Sequence, residues 1–506
     1  MMARASTAVA GEPPSFDIHG VDPVPAEDRT SSTADQFWIW MGANIAPINW
    51  VLGTLGITLG LSLVETIVVI AVGNALGCAV FGLFCVMGHR TGVNMMVLSR
   101  AAFGRRGAYV PAAVQFLLPM GWIGVNTWIV LDLAVAALGE IGITGGQELR
   151  YVVAFGLMAA QCLIAVWGFY AIRSFERWTV PATALIMAVM SILAVTQADV
   201  SFAAGQATGA AKVTAITQLL TAIGVGWGIS WLVYAADYSR FTRPTTPDRK
   251  VFWTTGLGMY LPTVWLAALG AVVASGGGGT DPSDLVLSTF GVMALPVLLL
   301  VLHGPIATNI LNFYSCGLAA LTFGVKVARW KVSLAAGALA SVVLVAFIEA
   351  GDFAQSFDAW MVSLIVWISP WAAILAVEYF VVRRGRLDVD ELYRRHTRAR
   401  YGDVNWRALA SLAAGLAAGW AWEFGLVTAF QGPLAKTFSN TDLSWLTGSL
   451  VAGGLYYVLV GRGERRSSSS DDSRPVDARA LGELAADVPD LQHRRGLPEV
   501  SRTPQA

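Results

Sequence analysis

Long apolar runs recur from Phe37 to Val460, and they constrain the fold more than any other feature of the sequence. Each run is close to the roughly 20 residues that cross a bilayer as a helix. Only 13% of the 506 residues are charged, whereas a soluble protein carries about a quarter. A large soluble core would need helices with a polar face, which these runs mostly lack. The pattern predicts an all-α integral membrane protein with twelve transmembrane helices.

Polar segments flank the apolar region and divide the chain into three predicted parts. Residues 1–36 contain no apolar core of the kind found in a signal peptide, so we expect a disordered cytoplasmic N-terminus. Residues 37–461 form the predicted twelve-helix domain. Residues 462–506 are rich in Ser, Asp and Arg, and we expect a disordered cytoplasmic tail. The predicted spans are 37–58, 63–87, 110–138, 151–171, 178–196, 215–236, 251–274, 285–321, 332–349, 359–382, 406–428 and 443–461.

The placement of Lys and Arg predicts the orientation. With the N-terminus in the cytoplasm, nearly all basic loop residues fall on the inner side, and the outer loops hold Arg150, Lys212 and Lys436. This bias is typical of cytoplasmic loops. The sequence therefore predicts a multi-pass protein of the cytoplasmic membrane with both termini inside. We expect the lipid bilayer as its surroundings, with no nucleic acid and no obligate protein partner.

Glycine and proline interrupt three of the predicted spans. The interruptions are at 42–47 in span 1, 224–228 in span 6 and 304–305 in span 8. Irregular backbone at membrane depth is tolerated where it lines a cavity, although such residues can also serve close helix packing. Spans 1 and 6 are five helices apart, as in a five-plus-five inverted repeat whose discontinuous helices 1 and 6 hold a ligand near the midplane.

Uncharged polar side chains cluster in two of the predicted spans, 8 and 3. Residues 303–315 follow a strongly apolar stretch and include Thr308, Asn309 and Asn312. In span 3, Trp122 and Asn126 are four residues apart and share a helix face. Polar groups at membrane depth often mark a functional site, and an indole beside an amide can stack on a flat ring and bond its edge. The alternative is that these groups only join helices.

Reactive groups of the kinds that enzymes use are not evident in the sequence. Cys78, Cys85, Cys162 and Cys316 show neither disulfide nor metal-ligand spacing. We find no nucleophile–base pair and no phosphate-binding glycine loop, so we expect neither an enzyme nor a cofactor. A channel would need a continuous polar pore, whereas the polar residues cluster at one depth. His303 and Glu378 are the more plausible candidates for proton carriers, although a structural role is the more common one for such residues.

Several motifs occur in a familiar order along the chain. They lie at 20–29, 98–107, 121–122, 236–241, 308–315, 370–380, 383–386 and 390–393. With these motifs the chain resembles the nucleobase:cation symporter-1 family, and within it the purine–cytosine permease branch, from Gly20 to about Gly461. The resemblance implies the five-plus-five fold with two additional helices. It also implies alternating-access import of a cytosine- or purine-type base, or a related heterocycle, together with H⁺ or Na⁺.

Other cargoes remain open at this stage. The same fold could carry hydantoin or allantoin, a vitamin, or an amino acid. An amino-acid carboxylate would favour an exposed helix N-terminus. The two tryptophans at the implied site, Trp122 and Trp227, argue instead for a cargo with a flat ring.

The resemblance also implies a ring-binding set. In the hydantoin-transporting relatives, residues matching Trp122 and Asn126 hold the ring, and a Gly-Trp pair supplies a second stacking face. A glutamine of those relatives falls on Ala46 here, with Asn44 as a substitute. The implied substrate-binding residues are Asn44, Trp122, Asn126, Gly226, Trp227, Asn309 and Asn312.

A cation site follows from the same resemblance. It consists of backbone carbonyls matching Gly42, Ile45 and Gly304, and of the hydroxyl of Thr308. Relatives place a second hydroxyl where this chain has Ala307. Because hard cations favour oxygen ligands, the loss leaves Na⁺ and H⁺ both open as the coupling ion.

Overall fold

Helices make up the structure. The computed structural model describes residues 17–277, 294–325, 327–350, 353–394, 400–425 and 428–461. Within those ranges the sole β-type contact is an isolated bridge between Ser31 and Thr242, so the all-α prediction is confirmed. The helices of the first half are α1 Thr33–Asn44, α2 Pro47–Thr58, α3 Leu63–Thr91, α4 Met95–Leu98, α5 Arg100–Phe103, α6 Tyr109–Glu140, α7 Gln147–Trp167, α8 Phe169–Gln197 and α9 Gly209–Ala222.

The remaining helices follow in the same manner. They are α10 Val225–Ser230, α11 Ala235–Ser239, α12 Asp248–Ser275, α13 Ala294–Val301, α14 His303–Leu321, α15 Arg329–Ala350, α16 Phe353–Ala376, α17 Trp406–Ala421, α18 Pro433–Thr437 and α19 Ser444–Tyr456. Short 3₁₀ turns lie between several of them, and π-helical turns follow α16 and α19.

Eight helical segments in the described part are long and apolar enough to cross a membrane. They are Leu63–Thr91, Tyr109–Glu140, Gln147–Trp167, Phe169–Thr196, Gly209–Ser239, Asp248–Ser275, Arg329–Glu349 and Ile365–Val382. The first predicted span is present as two pieces, α1 and α2, and the eighth as α13 and α14. The full count of twelve spans and the inverted repeat stay predictions.

The first break lies between α1 and α2. Ala46 is extended (φ −125°, ψ 145°), and Pro47 is the first residue of α2. Proline lacks an N–H and disfavours helical backbone at the residue before it, but it suits the first helical position. The Gly42–Pro47 stretch therefore ends one helix and begins the next, as the sequence predicts.

The second break lies between α9 and α10, at Gly224 (φ −74°, ψ −112°). The carbonyl of Ile223 accepts a hydrogen bond of 2.6 Å from Nδ2 of Asn74 on α3. A backbone group released from a helix needs such a partner in a water-poor interior. The side chain of Asn74 thus stabilises the backbone at this break.

Two predicted boundaries differ from the structure. The predicted disordered segment 1–36 does not extend to residues 17–36, because Asp17 is buried and Ser32 caps α1 through Asp35. In addition, α8 begins at Phe169 and not at 178, so Glu176 lies within a helix. The charged residues between 173 and 177 were interpreted as a loop, although they lie in the first turns of α8. The predicted tail at 462–506 lies outside the described residues.

Candidate functional site

A pocket lies beside both helix breaks, where α1, α2, α6, α10 and α14 meet. Its lining residues are uncharged at neutral pH, and they are Ala43, Ile48, Trp122, Asn126, Trp227, Ser230, Trp231, Tyr234, Thr308 and Asn312. Four members of the predicted ring-binding set line it together: Trp122, Asn126, Trp227 and Asn312. Sites of this kind combine aromatic walls with a few placed polar groups.

The two predicted stacking residues contact each other directly. The rings of Trp122 and Trp227 are 5.9 Å apart between centroids and cross at 86°, which is an edge-to-face pair. A flat ligand held between two parallel indoles would require one of these rings to turn. The expected side chains therefore line the pocket. The crossed rings leave less space between them than two parallel indoles stacked on a ligand would need.

Asn44 does not line the pocket but holds one of its walls. Its Oδ1 accepts a hydrogen bond of 2.7 Å from Nε1 of Trp227, and its Nδ2 donates to the carbonyl of Trp40 at 2.8 Å. The amide therefore links the α1 break to the α10 break. In this structure Asn44 contacts Trp227, and a contact between Asn44 and a ligand stays a prediction.

Asn309 also lies outside the lining, at the centre of a buried amide network. Its Nδ2 lies 2.6 Å from Oε1 of Gln161 and 3.0 Å from Oγ1 of Thr127. Its Oδ1 accepts from Asn126 at 3.2 Å and from Asn312 at 3.4 Å. Asn309 thus orients the two asparagines that do line the pocket, and a direct contact between Asn309 and a ring stays a prediction.

The side-chain oxygen of Asn126 is available to accept a hydrogen bond from a ligand. Its Nδ2 is committed to Asn309, whereas its buried Oδ1 accepts no hydrogen bond from any described residue. A buried acceptor without a partner costs free energy. A ligand that presents an N–H at this position would remove that cost, and nucleobases and hydantoins carry such groups.

Gly226 lies behind the pocket wall. A Cβ atom at this position would collide with the backbone carbonyl of Thr221, which lies in the last turn of α9 before the break. The glycine is therefore required for the chain to fold back at α10. A contact between Gly226 and a ligand stays a prediction.

Three of the four predicted cation residues, Ile45, Gly304 and Thr308, come together at the N-terminal end of α14. The hydroxyl of Thr308 lies 2.8 Å from the carbonyl oxygen of Ala43 and 3.0 Å from that of Gly304. Gly304 packs closely against the carbonyl of Ile45, where a Cβ atom would collide. Ala307 is fully buried, and its side chain carries no oxygen. Gly42 instead faces α8, where its backbone contacts the carboxyl group of Glu176.

Sequence reasoning missed Ser230, Trp231 and Tyr234. They follow Trp227 by three, four and seven residues, which is the spacing of one helix face. That spacing was available in the sequence, directly after the predicted break. It could have identified the whole wall that α10 and the 3₁₀ turn after it contribute.

The two candidate proton carriers differ in their surroundings. Oε1 of Glu378 lies 2.7 Å from Nε of Arg383, and its Oε2 accepts from Tyr456 at 2.9 Å. Glu378 is thus neutralised in a local network. His303 lies at the start of α14, with Nε2 2.6 Å from Oγ1 of Thr179 and 3.9 Å from Oε2 of Glu176.

Comparison with known proteins places these features in a family. A family model described as "Permease for cytosine/purines, uracil, thiamine, allantoin" matches residues 23–448. A putative purine-cytosine permease of Bacillus subtilis, YxlA, is 26% identical over 453 residues, covering 87% of this chain and 95% of the relative. A hydantoin permease of Microbacterium maritypicum is 26% identical over 438 residues, covering 81% and 84%.

Solved structures show the same fold. Mhp1, a nucleobase-cation-symport-1 family transporter solved in a closed conformation with bromovinylhydantoin bound, aligns with a TM-score of 0.72 at 22% identity. The alignment covers 90% of this chain and 97% of that one. The inward-facing conformation of Mhp1 aligns with a TM-score of 0.67. These relatives are permeases and transporters, not enzymes, and the chain belongs to the permease family for cytosine/purines, uracil, thiamine and allantoin.

Proposed function

We propose that this protein is a secondary active transporter of the cytoplasmic membrane. It imports a neutral nucleobase of the cytosine or purine type, or a closely related heterocycle, in symport with a cation by alternating access. The observation that carries the proposal is the pocket itself. Trp122, Trp227, Asn126 and Asn312 come from three distant parts of the chain, yet they line one cavity beside two broken helices.

The chemistry of the lining supports a flat, neutral ligand. Indole faces stack on heterocyclic rings, and such stacking contributes about 1–3 kcal/mol per base. Asn126 and Asn312 offer amide groups that read the ring edge. All lining side chains are neutral, so a ligand with full charge would be desolvated without an opposite charge.

The architecture supports alternating access. We propose twelve spans arranged as a five-plus-five inverted repeat with two additional helices, and both termini in the cytoplasm. The breaks at Pro47 and Gly224 would belong to the first helix of each repeat. Discontinuous helices around a midplane site are the usual construction in transporters of this type.

Uptake by cells expressing the full chain tests the function. Radiolabelled cytosine, adenine, hypoxanthine and uracil form one arm, and hydantoin and allantoin form the other, with empty-vector cells as background. Saturable uptake of a base, competed by the unlabelled base, supports the proposal. Preference for the second arm would support the hydantoin or allantoin reading, and uptake of none of the six would refute the proposed cargo class.

A binding assay separates cargo from transport. Thermal-shift measurements on purified protein, with the same panel plus amino acids and thiamine, report ligands independently of a gradient. Stabilisation by an amino acid and by no heterocycle would contradict the ring-binding site.

Membrane topology is tested with the variants Arg150→Cys and Arg386→Cys, whose introduced thiols are labelled from either side of the membrane. The proposal places these two positions on opposite faces.

A further inference from the structure

A backbone carbonyl decides which end of the buried Asn309 amide faces which neighbour. Nδ2 of Asn309 lies 3.2 Å from the carbonyl oxygen of Ile123 on α6, and it also contacts Oγ1 of Thr127 and Oε1 of Gln161. A side-chain amide can turn over and exchange the positions of its O and N, but a carbonyl oxygen can only accept a hydrogen bond. The turned-over amide would place its oxygen against that of Ile123 with no hydrogen between them. The carbonyl of Ile123 therefore holds Nδ2 of Asn309 on its own side and leaves Oδ1 on the other.

Asn309 in turn determines the orientation of the two asparagines that line the pocket. Its Oδ1 lies 3.2 Å from Nδ2 of Asn126 and 3.4 Å from Nδ2 of Asn312. An amide oxygen only accepts, so each neighbour has to present its N–H₂ group to it. Each neighbour then turns its own Oδ1 away from Asn309, and Oδ1 of Asn126 is buried without a hydrogen bond from a described residue. The amide ends that remain for a ligand in this pocket are therefore oxygens.

The two aliphatic hydroxyl groups of the lining have the same polarity. Oγ of Ser230 donates to the carbonyl oxygen of Trp227 at 2.7 Å. Oγ1 of Thr308 lies 2.8 Å from the carbonyl oxygen of Ala43. A hydroxyl has one hydrogen, and its contact with a carbonyl uses that hydrogen. The two amides and the two hydroxyls therefore offer a ligand acceptors, and the remaining donors of the lining belong to its tryptophan and tyrosine side chains.

A flat ring matched to two amide oxygens carries an amino group on its edge. The exocyclic N–H₂ group of cytosine or adenine is a hydrogen-bond donor, and it has two hydrogens, one for each oxygen. Uracil and hypoxanthine have a carbonyl oxygen at the same ring position, which would face the two acceptors. Only the neighbouring ring N–H of these oxo bases could still donate. A well-placed pair of hydrogen bonds to a base edge discriminates against the wrong base by about 10- to 100-fold.

We propose that Asn309, held by the carbonyl of Ile123, sets the hydrogen-bond polarity of the pocket, so that the protein selects bases with an exocyclic amino group over their oxo counterparts. The inference rests on the proposed transport function and adds the substrate class and the residue that determines it. Asn309 is a positioning residue, because it acts through the two lining asparagines. With the opposite orientation of Asn309, the pocket would present two N–H₂ groups and would select uracil and hypoxanthine.

A series of bases on the purified full-length protein tests the selection. Isothermal titration gives the Kd of adenine, purine and hypoxanthine, and of cytosine and uracil. Adenine and hypoxanthine are similar in size and differ at one edge, where purine has only a hydrogen atom. We expect adenine to bind about 10- to 100-fold more tightly than hypoxanthine, with purine between them, and cytosine to exceed uracil by a similar factor. Equal or reversed affinities within either pair that binds would overturn the proposal.

Asn309→Ala tests whether Asn309 sets this preference. Without its Oδ1, the amides of Asn126 and Asn312 are free to turn over, so the ratio of the two Kd values within a pair should approach unity. Asn405→Ala is the matched control, because Asn405 is a partly buried asparagine that caps α17 and donates to the carbonyl of Ala102, outside the pocket lining. The control should lower the thermal midpoint and keep the ratio. A purely structural Asn309 would weaken both bases equally, so an unchanged ratio in Asn309→Ala contradicts the proposal.

Failure of this inference and failure of the transport function give different results. Measurable binding without a preference for the amino base leaves a heterocycle transporter and overturns the polarity set by Asn309. Binding of hydantoin or allantoin, and of none of the five bases, does the same. If no heterocycle binds and none is taken up by expressing cells, the transport function and the selection fail together. The titrations of the wild type decide the selection even if Asn309→Ala does not fold.

Discussion

The indole nitrogen of Trp227 donates a 2.7 Å hydrogen bond to Oδ1 of Asn44, and this bond joins the two helix breaks. The residues are separated by 183 positions in the sequence. One belongs to the last turn of α1 and the other to the first turn of α10. The orientation of a pocket wall thus depends on a residue that does not line the pocket.

Asn44→Ala should weaken ligand binding about tenfold, which corresponds to about 1.4 kcal/mol, because the indole N–H loses its buried acceptor. Trp227→Phe removes the donor from the other end. We expect the double variant to bind little worse than the weaker single variant, because both changes remove one interaction. Ligand titration of the four purified proteins measures this. Fully additive losses would show that the bond does not position the wall.

Trp122→Ala should reduce ligand affinity by about 10- to 100-fold, since one stacked ring contributes about 1–3 kcal/mol. Trp122→Phe should recover much of the loss by retaining an aromatic face. Trp253→Ala serves as the control, because Trp253 is half exposed on α12 and lies outside the pocket lining. Equal losses for Trp122→Ala and Trp253→Ala would indicate a general effect on the fold and not a stacking contact.

Asn309→Ala should lower both stability and affinity. The substitution removes the Asn309 acceptor of Nδ2 of Asn126, and a buried unsatisfied group costs about 1–3 kcal/mol. It also removes the 2.6 Å hydrogen bond to Oε1 of Gln161, which keeps only the 3.4 Å bond from Thr127. Gln161→Ala should lower the thermal midpoint in detergent as well, and the double variant should lose less than the sum. If Asn309→Ala changed affinity alone, with the midpoint unchanged, Asn309 would be a ligand contact and not a positioning residue.

Asp442 lies outside the predicted membrane-spanning segments. Its buried carboxyl group should make the free energy of unfolding depend on pH. Burial raises the pKa of its carboxyl group from 3.8 to about 6, against hydrogen bonds from Ser444 that lower it. The folded state therefore holds a proton that the unfolded state releases, and this contribution to stability is present at low pH and lost as pH rises from about 4 to about 6. The midpoint of Asp442→Asn relative to wild type should rise over that range. A constant difference would contradict the shifted titration.

Gly228 and Gly454 form a matched pair for close helix packing. A Cβ atom at Gly228 would collide with the backbone of Gly77 on α3, whereas a Cβ atom at Gly454 would meet no atom within 4 Å. Gly228→Ala should therefore prevent the approach of α10 to α3 and abolish monodisperse protein. Gly454→Ala should retain the fold and gain up to about 1 kcal/mol from helix propensity. Gel filtration and thermal midpoints distinguish the two.

Local rules explain which parts of the fold were predictable. Apolar length indicated the membrane helices, Pro47 and Gly224 indicated the breaks, and spacing placed Trp122 and Asn126 on one face. Each of these features depends on residues close in sequence. The start of α8 was predicted wrongly, because Glu176 and its arginine neighbours were interpreted as a loop.

The sequence by itself determined an all-helical membrane chain of this family, with two broken helices and several of the aromatic and amide side chains that line one pocket. Only the tertiary structure decided that Asn309 faces the amide network, that Asn44 holds Trp227, and that Glu176 meets His303 beside Gly42. Periodicity identifies which residues share a helix face. It cannot say which helix that face meets, and the partner across the contact decides whether a polar group lines a pocket or orients a neighbour.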